Sequence, residues 1–304
     1  MTFKDSAPRA ICAGAACLAI SSSAGAMEAP SVYPLGIVTF GAAAIPPAGL
    51  YDLLSESHVT LNKVMNNAGE PNPIVKKFDT TVDIVSNRLI WVPSGDTLGG
   101  RAIYSLIVPV GYTASDRTIG PKSIVGSKLG LGDLTLQAGV GYDLAPQLKT
   151  VVGFAVYVPT GAYSKTDPVN IGKNHWAAEP MAAFSYLNKE GLNADIAGGY
   201  IFNGRNNATK YTSGHEFHFD YAAGWAFGNG WTAGLGGFVW RQTTDDKNAA
   251  GPVLNDRAAA NSIGPVVKYD SGKGWVGSIK YEQMTDVKNG PKGNVFWLKV
   301  AFPL

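Results

Sequence analysis

The chain has 304 residues, a formal net charge of +2, 37 glycines, 13 tyrosines, 12 phenylalanines and 7 tryptophans, and only 16% charged residues. The near-neutral charge, with no long basic run, gives no case for nucleic acid as a partner. Glycine at this level disfavours a helical protein, and nothing after residue 26 is an apolar run long enough to cross a bilayer as a helix.

Residues 1–26 read as a signal peptide. Lys4 and Arg9 precede the apolar stretch Ala10 to Ile20, and Ala24-Gly25-Ala26 are small residues where a signal peptidase cuts. Cys12 and Cys17 both fall in this segment, and neither follows the Leu-containing box of a lipoprotein. The exported chain therefore has no cysteine and no disulfide. Residues 27–48, "MEAPSVYPLGIVTFGAAAIPPA", carry one charge, Glu28. Pro30, Pro34, Pro46 and Pro47 argue against a regular strand through this stretch. The N-terminal segment has three places to go: into a lumen as a partial plug, into the periplasm, or onto the first strand.

From residue 49 the chain reads as strands. Alternation and turn residues predict twelve segments, at roughly 49–65, 78–94, 100–115, 129–144, 148–162, 175–188, 192–203, 216–227, 231–244, 257–270, 274–286 and 293–304. The connections "SGDTLGG", "APQ", "NKEG", "GNG" and "SGKG" are short. Between them fall longer polar loops such as "YSKTDPVNIGKN", "GRNNATKYTSGH" and "DDKNAAGPVLND". Loops sorted by parity predict an all-β fold, a transmembrane up-and-down antiparallel β-barrel of twelve strands over 49–304. The bacterial outer membrane is its expected location. A barrel also leaves no unpaired backbone in hydrocarbon.

The faces agree with this reading. Tyr104, Leu106, Val108, Val110 and Tyr112 alternate with Arg101 and Ser105, and Leu134, Leu136, Ala138, Val140 and Tyr142 alternate with Asp133, Thr135 and Gln137. Trp225, Phe227, Trp231, Trp275 and Tyr281 lie near strand ends, where interfacial girdles form. Segment 78–94 is less regular. Arg88 shares the parity of Val82 and Ile84, which predicts a bulge there.

"EFHFDYAAGWAF" (216–227) separates its faces most clearly. Phe217, Phe219, Tyr221, Trp225 and Phe227 face lipid, while Glu216, His218 and Asp220 face the lumen. On the same parity argument Asp133, Glu179, Asp195, Lys280 and Glu282 join them as candidate pore-lining residues. They either line a solute path or pair with one another to brace the wall. Basic partners such as Lys280, Arg241 or Lys268, or ordered water, are expected to reach the ladder of Glu216, His218 and Asp220.

Other motifs carry little chemistry. His215 and His218 are three apart on a strand and face opposite sides, so no metal site is expected. Ser213 near His215 lacks an orienting acid and reads as turn chemistry rather than a catalytic pair. "GLGD" (130–133) lacks the following Lys and Ser/Thr of a phosphate loop. No cofactor motif and no catalytic residue are expected. Partners are outer-membrane lipid, the outer-membrane assembly machinery during biogenesis, and a small hydrophobic or aromatic solute.

Six blocks in order, "GLGD" (130–133), "VPTGAY" (158–163), "NIGKNHWAAEP" (170–180), "YIFNGRNNATKYTSGHEFHFDYAAGW" (200–225), "GPVVKY" (264–269) and "KGNVFWL" (292–298), resemble the outer-membrane family named for the meta-pathway of phenol degradation. The resemblance covers residues 50–304 and implies a twelve-stranded channel for passive uptake of small hydrophobic or aromatic molecules, with no catalytic residues. Two alternatives are an outer-membrane lipid-modifying enzyme and a structural or adhesive barrel. The lack of a convincing Ser/His/Asp set weighs against the first, and the loops of about 12 residues weigh against the second. The chain closes with Leu304 where such barrels commonly close with Phe, and Phe302 keeps the apolar face.

Overall fold

The computed structural model describes residues 31–304. The expected signal peptide, residues 1–26, lies outside the described residues, as do residues 27–30. The strands are β1 (Gly49–Met65), β2 (Val75–Val92), β3 (Arg101–Ile119), β4 (Lys122–Leu131), β5 (Leu134–Asp143), β6 (Leu148–Val158), β7 (Ala177–Tyr186), β8 (Glu190–Asn203), β9 (Arg205–Asn206), β10 (Tyr211–Thr212), β11 (Glu216–Phe227), β12 (Trp231–Gln242), β13 (Lys247–Asn248), β14 (Gly251–Pro252), β15 (Ala259–Asp270), β16 (Val276–Lys288) and β17 (Gly290–Pro303). All wall pairings are antiparallel, and β1 closes on β17, with Tyr51 opposite Pro303.

β4 and β5 both pair with β3, one beyond the other along its length. They are two halves of one wall strand, broken at Gly132-Asp133, so the wall is a closed barrel of twelve strands. Closure pairs the twelve wall strands around the ring, with only β4, beyond the break, paired on one side, and a closed ring is what a sheet in hydrocarbon requires. Large apolar side chains cover the outside, among them Leu106, Leu136, Phe154, Ile196, Leu235 and Ile279, all exposed. Trp91, Tyr104, Trp225, Trp231 and Trp275 form an aromatic rim near the end that holds the C-terminus and the start of β1, and Trp231, Tyr269 and Trp275 pack as a tilted row.

Three features differ from the sequence reading. First, residues 116–128 are not a loop. β3 and β4 continue as a paired hairpin to Ile119 opposite Lys122, so this connection is two residues long. β16 and β17 likewise join through Asn289 alone. Loop length follows parity only where strands end near the membrane, and these hairpins project past it. Second, β2 has no bulge near Arg88. The β1–β2 register runs unbroken from Gly49 opposite Val92 to Leu61 opposite Thr80. Val82, Ile84, Arg88 and Ile90 all face the lumen. The reading failed because it assumed that apolar residues face lipid. Here the lumen side is the more apolar one, and Asp83 and Asn87 face out. Third, the outer face of β1–β2 carries Asp52, Glu56 and His58 as well. Two couples offset part of the desolvation cost: Asn87 Nδ2 donates to both Asp52 oxygens at 2.8 Å, and His58 Nδ1 lies 2.5 Å from Asp83 Oδ1.

The longer loops partly close the far end. β9, β10, β13 and β14 form a separate small sheet above the barrel. The connection 159–176 turns into the lumen, where Arg117 Nη2 donates to Pro168 O at 2.8 Å and Lys128 Nζ lies 2.7 Å from Asp167 Oδ2. Gly161 and Gly172 pack backbone to backbone in this turn; a Cβ on Gly172 would stand 2.7 Å from Gly161 C.

Candidate functional site

Residues 31–48 thread the lumen. This proline-containing segment forms no ladder with the wall, so its backbone groups need other partners inside the barrel. The wall supplies acids for the N–H groups and lysines for the carbonyls. Asp220 Oδ1 accepts the Gly36 N–H at 3.0 Å, and Oδ2 accepts the Val38 N–H and the Tyr33 hydroxyl, each at 3.0 Å. Asp195 Oδ1 accepts from Gly41 at 3.0 Å and Ala42 at 2.8 Å, and also from the Ser185 hydroxyl. Lys280 Nζ donates to Val38 O at 2.7 Å, and Lys299 Nζ to Ile37 O at 2.6 Å. Arg101 Nη1 donates to Ile45 O at 3.0 Å, near the terminal rim. Gly36 has φ +88°, and a Cβ there would stand 2.1 Å from Glu282 Oε2, so glycine alone permits this approach.

Around this strap lies a buried polar network. Alternation on β11 turns Glu216, His218 and Asp220 inward, and all three are at most 1% exposed. Glu216 accepts from Asn203 Nδ2 and Trp240 Nε1, each at 2.7 Å. His218 Nε2 lies 2.8 Å from Glu179 Oε1, and its ring stacks on Tyr33 with centroids 3.9 Å apart. Tyr157 donates its hydroxyl to Glu179 Oε2 at 2.5 Å. Lys280 pairs with Glu282 at 2.8 Å.

The expected basic partners of the ladder are not its hydrogen-bond partners. Glu216 is met by an amide and an indole, and Asp220 by the strap. Lys280 bonds the strap and Glu282. Arg241 lies on the outer side, 3.6 Å from Asp286. Asp133 stands apart from the network: it accepts the N–H groups of Gly161 at 2.8 Å and Lys173 at 2.7 Å, and so anchors the inward loop.

Opposite the strap, the lumen remains open. A cavity of about 800 Å³ lies between residues 31–46 and the wall of β1–β3 and β5. Ile84, Ile90, Ile103 and Ile107 give it apolar walls, Ser86 and Ser105 add hydroxyls, and Val169 and Ile171 of the inward loop reach it. Arg88, Lys268 and Lys299 also line it. The sequence did not point to Lys299, Tyr33 or Tyr157, and did not place Arg88 in the lumen. The parity of Arg88 was the available signal, and it was attributed to a bulge.

Among the described residues, His215 is held in a structural role. His215 Nδ1 accepts the Asn203 N–H at 3.2 Å, its ring packs against Phe202, and no bond joins it to Ser213 among the described residues. No group of three or more His, Cys, Asp or Glu suited to a metal occurs among the described residues.

A closed twelve-strand barrel with an apolar outer belt and a partly open lumen is the form of an outer-membrane channel. The chain belongs to the family described as the MetA-pathway of phenol degradation, whose sequence model matches residues 65–300. An outer membrane channel from Pseudomonas putida F1 superposes with a TM-score of 0.77 over 88% of this chain and 100% of its own, at 19% identity, a likeness of fold. The translocator domain of the autotransporter NalP from Neisseria meningitidis matches at TM-score 0.47 and 11% identity, covering 86% of this chain and 91% of its own. A FadL homologue from Pseudomonas aeruginosa matches at TM-score 0.45 and 10% identity, covering 93% and 98%. These two likenesses are too distant to carry an argument. No curated protein matches the chain.

Proposed function

We propose that this channel takes up small hydrophobic or aromatic molecules passively, through the space between the strap and the β1–β5 wall, and that residues 31–48 act as a partial plug. The observation that carries this reading is the wall of that space, where four isoleucines from β2 and β3 face inward at a place where water-filled pores present polar side chains. An apolar passage lets a poorly soluble molecule exchange bilayer or micelle contacts for side-chain contacts without binding tightly enough to stall. Their ion pairs and hydrogen bonds support a bracing role for Glu179, Asp195, Glu216, His218, Asp220, Lys280 and Glu282, of which Glu179 and His218 also reach the cavity wall.

The test is initial uptake of a panel of labelled small aromatics by cells lacking the protein. They are complemented with the wild type or with Ile84→Asn/Ile103→Asn. Uptake should fall on deletion, return with the wild type and return only partly with the double variant. Equal uptake in all three strains removes this reading.

A further inference from the structure

We propose that Arg88 is an anion-recognising group inside the lumen, so that the cavity takes small amphipathic monocarboxylates, an aromatic or short aliphatic acid with its tail on the isoleucines. This deepens the uptake reading above and rests on it.

The argument starts from β2. Arg88 faces the cavity on an unbroken register, opposite Ile107 of β3 and two residues from Ile90. Its Nε donates to Ser105 Oγ at 3.1 Å, which fixes the plane of the guanidinium. Nη1 and Nη2 make no hydrogen bond or ion pair with any described residue. A permanent charge on a largely apolar surface is costly without a partner, and the planar fork of arginine matches a carboxylate edge.

No carboxylate among the described residues pairs with this fork. Among the acids lining the cavity, Asp133 holds the N–H groups of Gly161 and Lys173, Glu179 is held by Tyr157 and His218, and Asp270 accepts the Gly272 N–H. Asp195 and Asp220 bond the backbone of the strap. Lys268 and Lys299 line the same space, and neither forms an ion pair with a described residue. Lys299 also donates to Ile37 O, and Asp195 lies near both lysines, so what the cavity sets against its apolar walls is the uncompensated charge of Arg88. A neutral hydrocarbon would leave that charge uncompensated, and a hydrophilic anion would gain nothing from the isoleucines.

The test is equilibrium dialysis of the purified, folded full-length mature barrel with benzoate and with benzamide, near neutral pH and low salt. The two probes have nearly the same shape and differ in charge. Wild type should bind benzoate about tenfold or more tighter than benzamide. Arg88→Gln should abolish the difference by weakening benzoate alone, and Arg88→Lys, which keeps the charge, should retain part of it. Heat-modifiable migration and circular dichroism verify folding, and Ser105→Ala, which releases the guanidinium without removing it, gives a milder second variant with a smaller loss for benzoate. Equal binding of the two probes by wild type, or unchanged benzoate binding in folded Arg88→Gln, overturns the assignment while leaving aromatic uptake standing. Binding of neither probe likewise overturns the assignment, and the uptake assay above then decides the passage reading on its own.

Discussion

Asp220 on β11 and Gly36 in the N-terminal strap are joined by a hydrogen bond of 3.0 Å across the lumen, from the Gly36 N–H to Asp220 Oδ1. The same carboxylate holds Val38 and Tyr33. One acid therefore fixes three points of a segment that has no ladder of its own.

Asp220→Asn should loosen the strap and leave the barrel folded. The amide oxygen can accept, but its NH₂ meets donors, so at least one buried N–H or hydroxyl loses its partner, at about 1–3 kcal/mol. Hydrogen exchange at Gly36 and Val38 should quicken while wall strands stay protected. Unchanged exchange at both amides would show that Asp220 does not hold the strap.

The lipid face and the lumen face of β5 should respond oppositely to charge. Leu136 is 50% exposed on the outer belt, whereas Gln137 faces the cavity. Leu136→Arg should hinder assembly, since a cation on the lipid face costs roughly 2–4 kcal/mol near the midplane. Gln137→Arg should assemble and stay heat-modifiable in gels. Equal behaviour of the two variants would contradict the assigned faces.

An epitope inserted between Ala249 and Ala250, in the exposed turn of the small outer sheet, should be reached by antibody on intact cells. One placed at 228–230, in the tight turn between β11 and β12, should be reached only after permeabilisation. The reverse pattern would invert the orientation of the barrel.

The outer loop should respond to pH through Asp256. Burial first, and then the nearby Asp246, raise its carboxyl from 3.8 to about 6. Asp246 is itself fixed by the Gly214 N–H and Gln242 Nε2, each at 2.7 Å, and by the Tyr211 hydroxyl. A raised folded value means that the folded loop holds this proton more tightly than the unfolded loop does. Its contribution is then fully present below the unfolded value of 3.8 and is lost as pH rises through about 6. Amides of residues 243–258, corrected for intrinsic exchange, should be better protected at pH 4.5 than at pH 7.5. Asp256→Asn should remove that difference; a difference that survives the substitution assigns the effect to another group.

Most of the wall was legible in the sequence because a barrel strand has a period of two and two unlike solvents on its faces. Phe217 to Phe227 alternate against Glu216 to Asp220, and the structure turns the two sets outward and inward as the spacing requires. Period alone does not say which face is lipid when both are apolar, and β2 is such a strand: Val82 and Ile84 meet the lumen cavity, while Asn87 and Asp83 find partners outside. Local sequence also carries no record of contacts hundreds of residues apart. The polar ladder on β11 could be seen, but its partners could not. Asn203 and Trp240 come from neighbouring strands, and Gly36 and Val38 from a segment 184 and 182 residues away. Only closure of the barrel brings that strap to the acids, because its unpaired N–H and carbonyl groups must find partners within the wall around them. The same closure leaves Arg88 facing the cavity across from the strap.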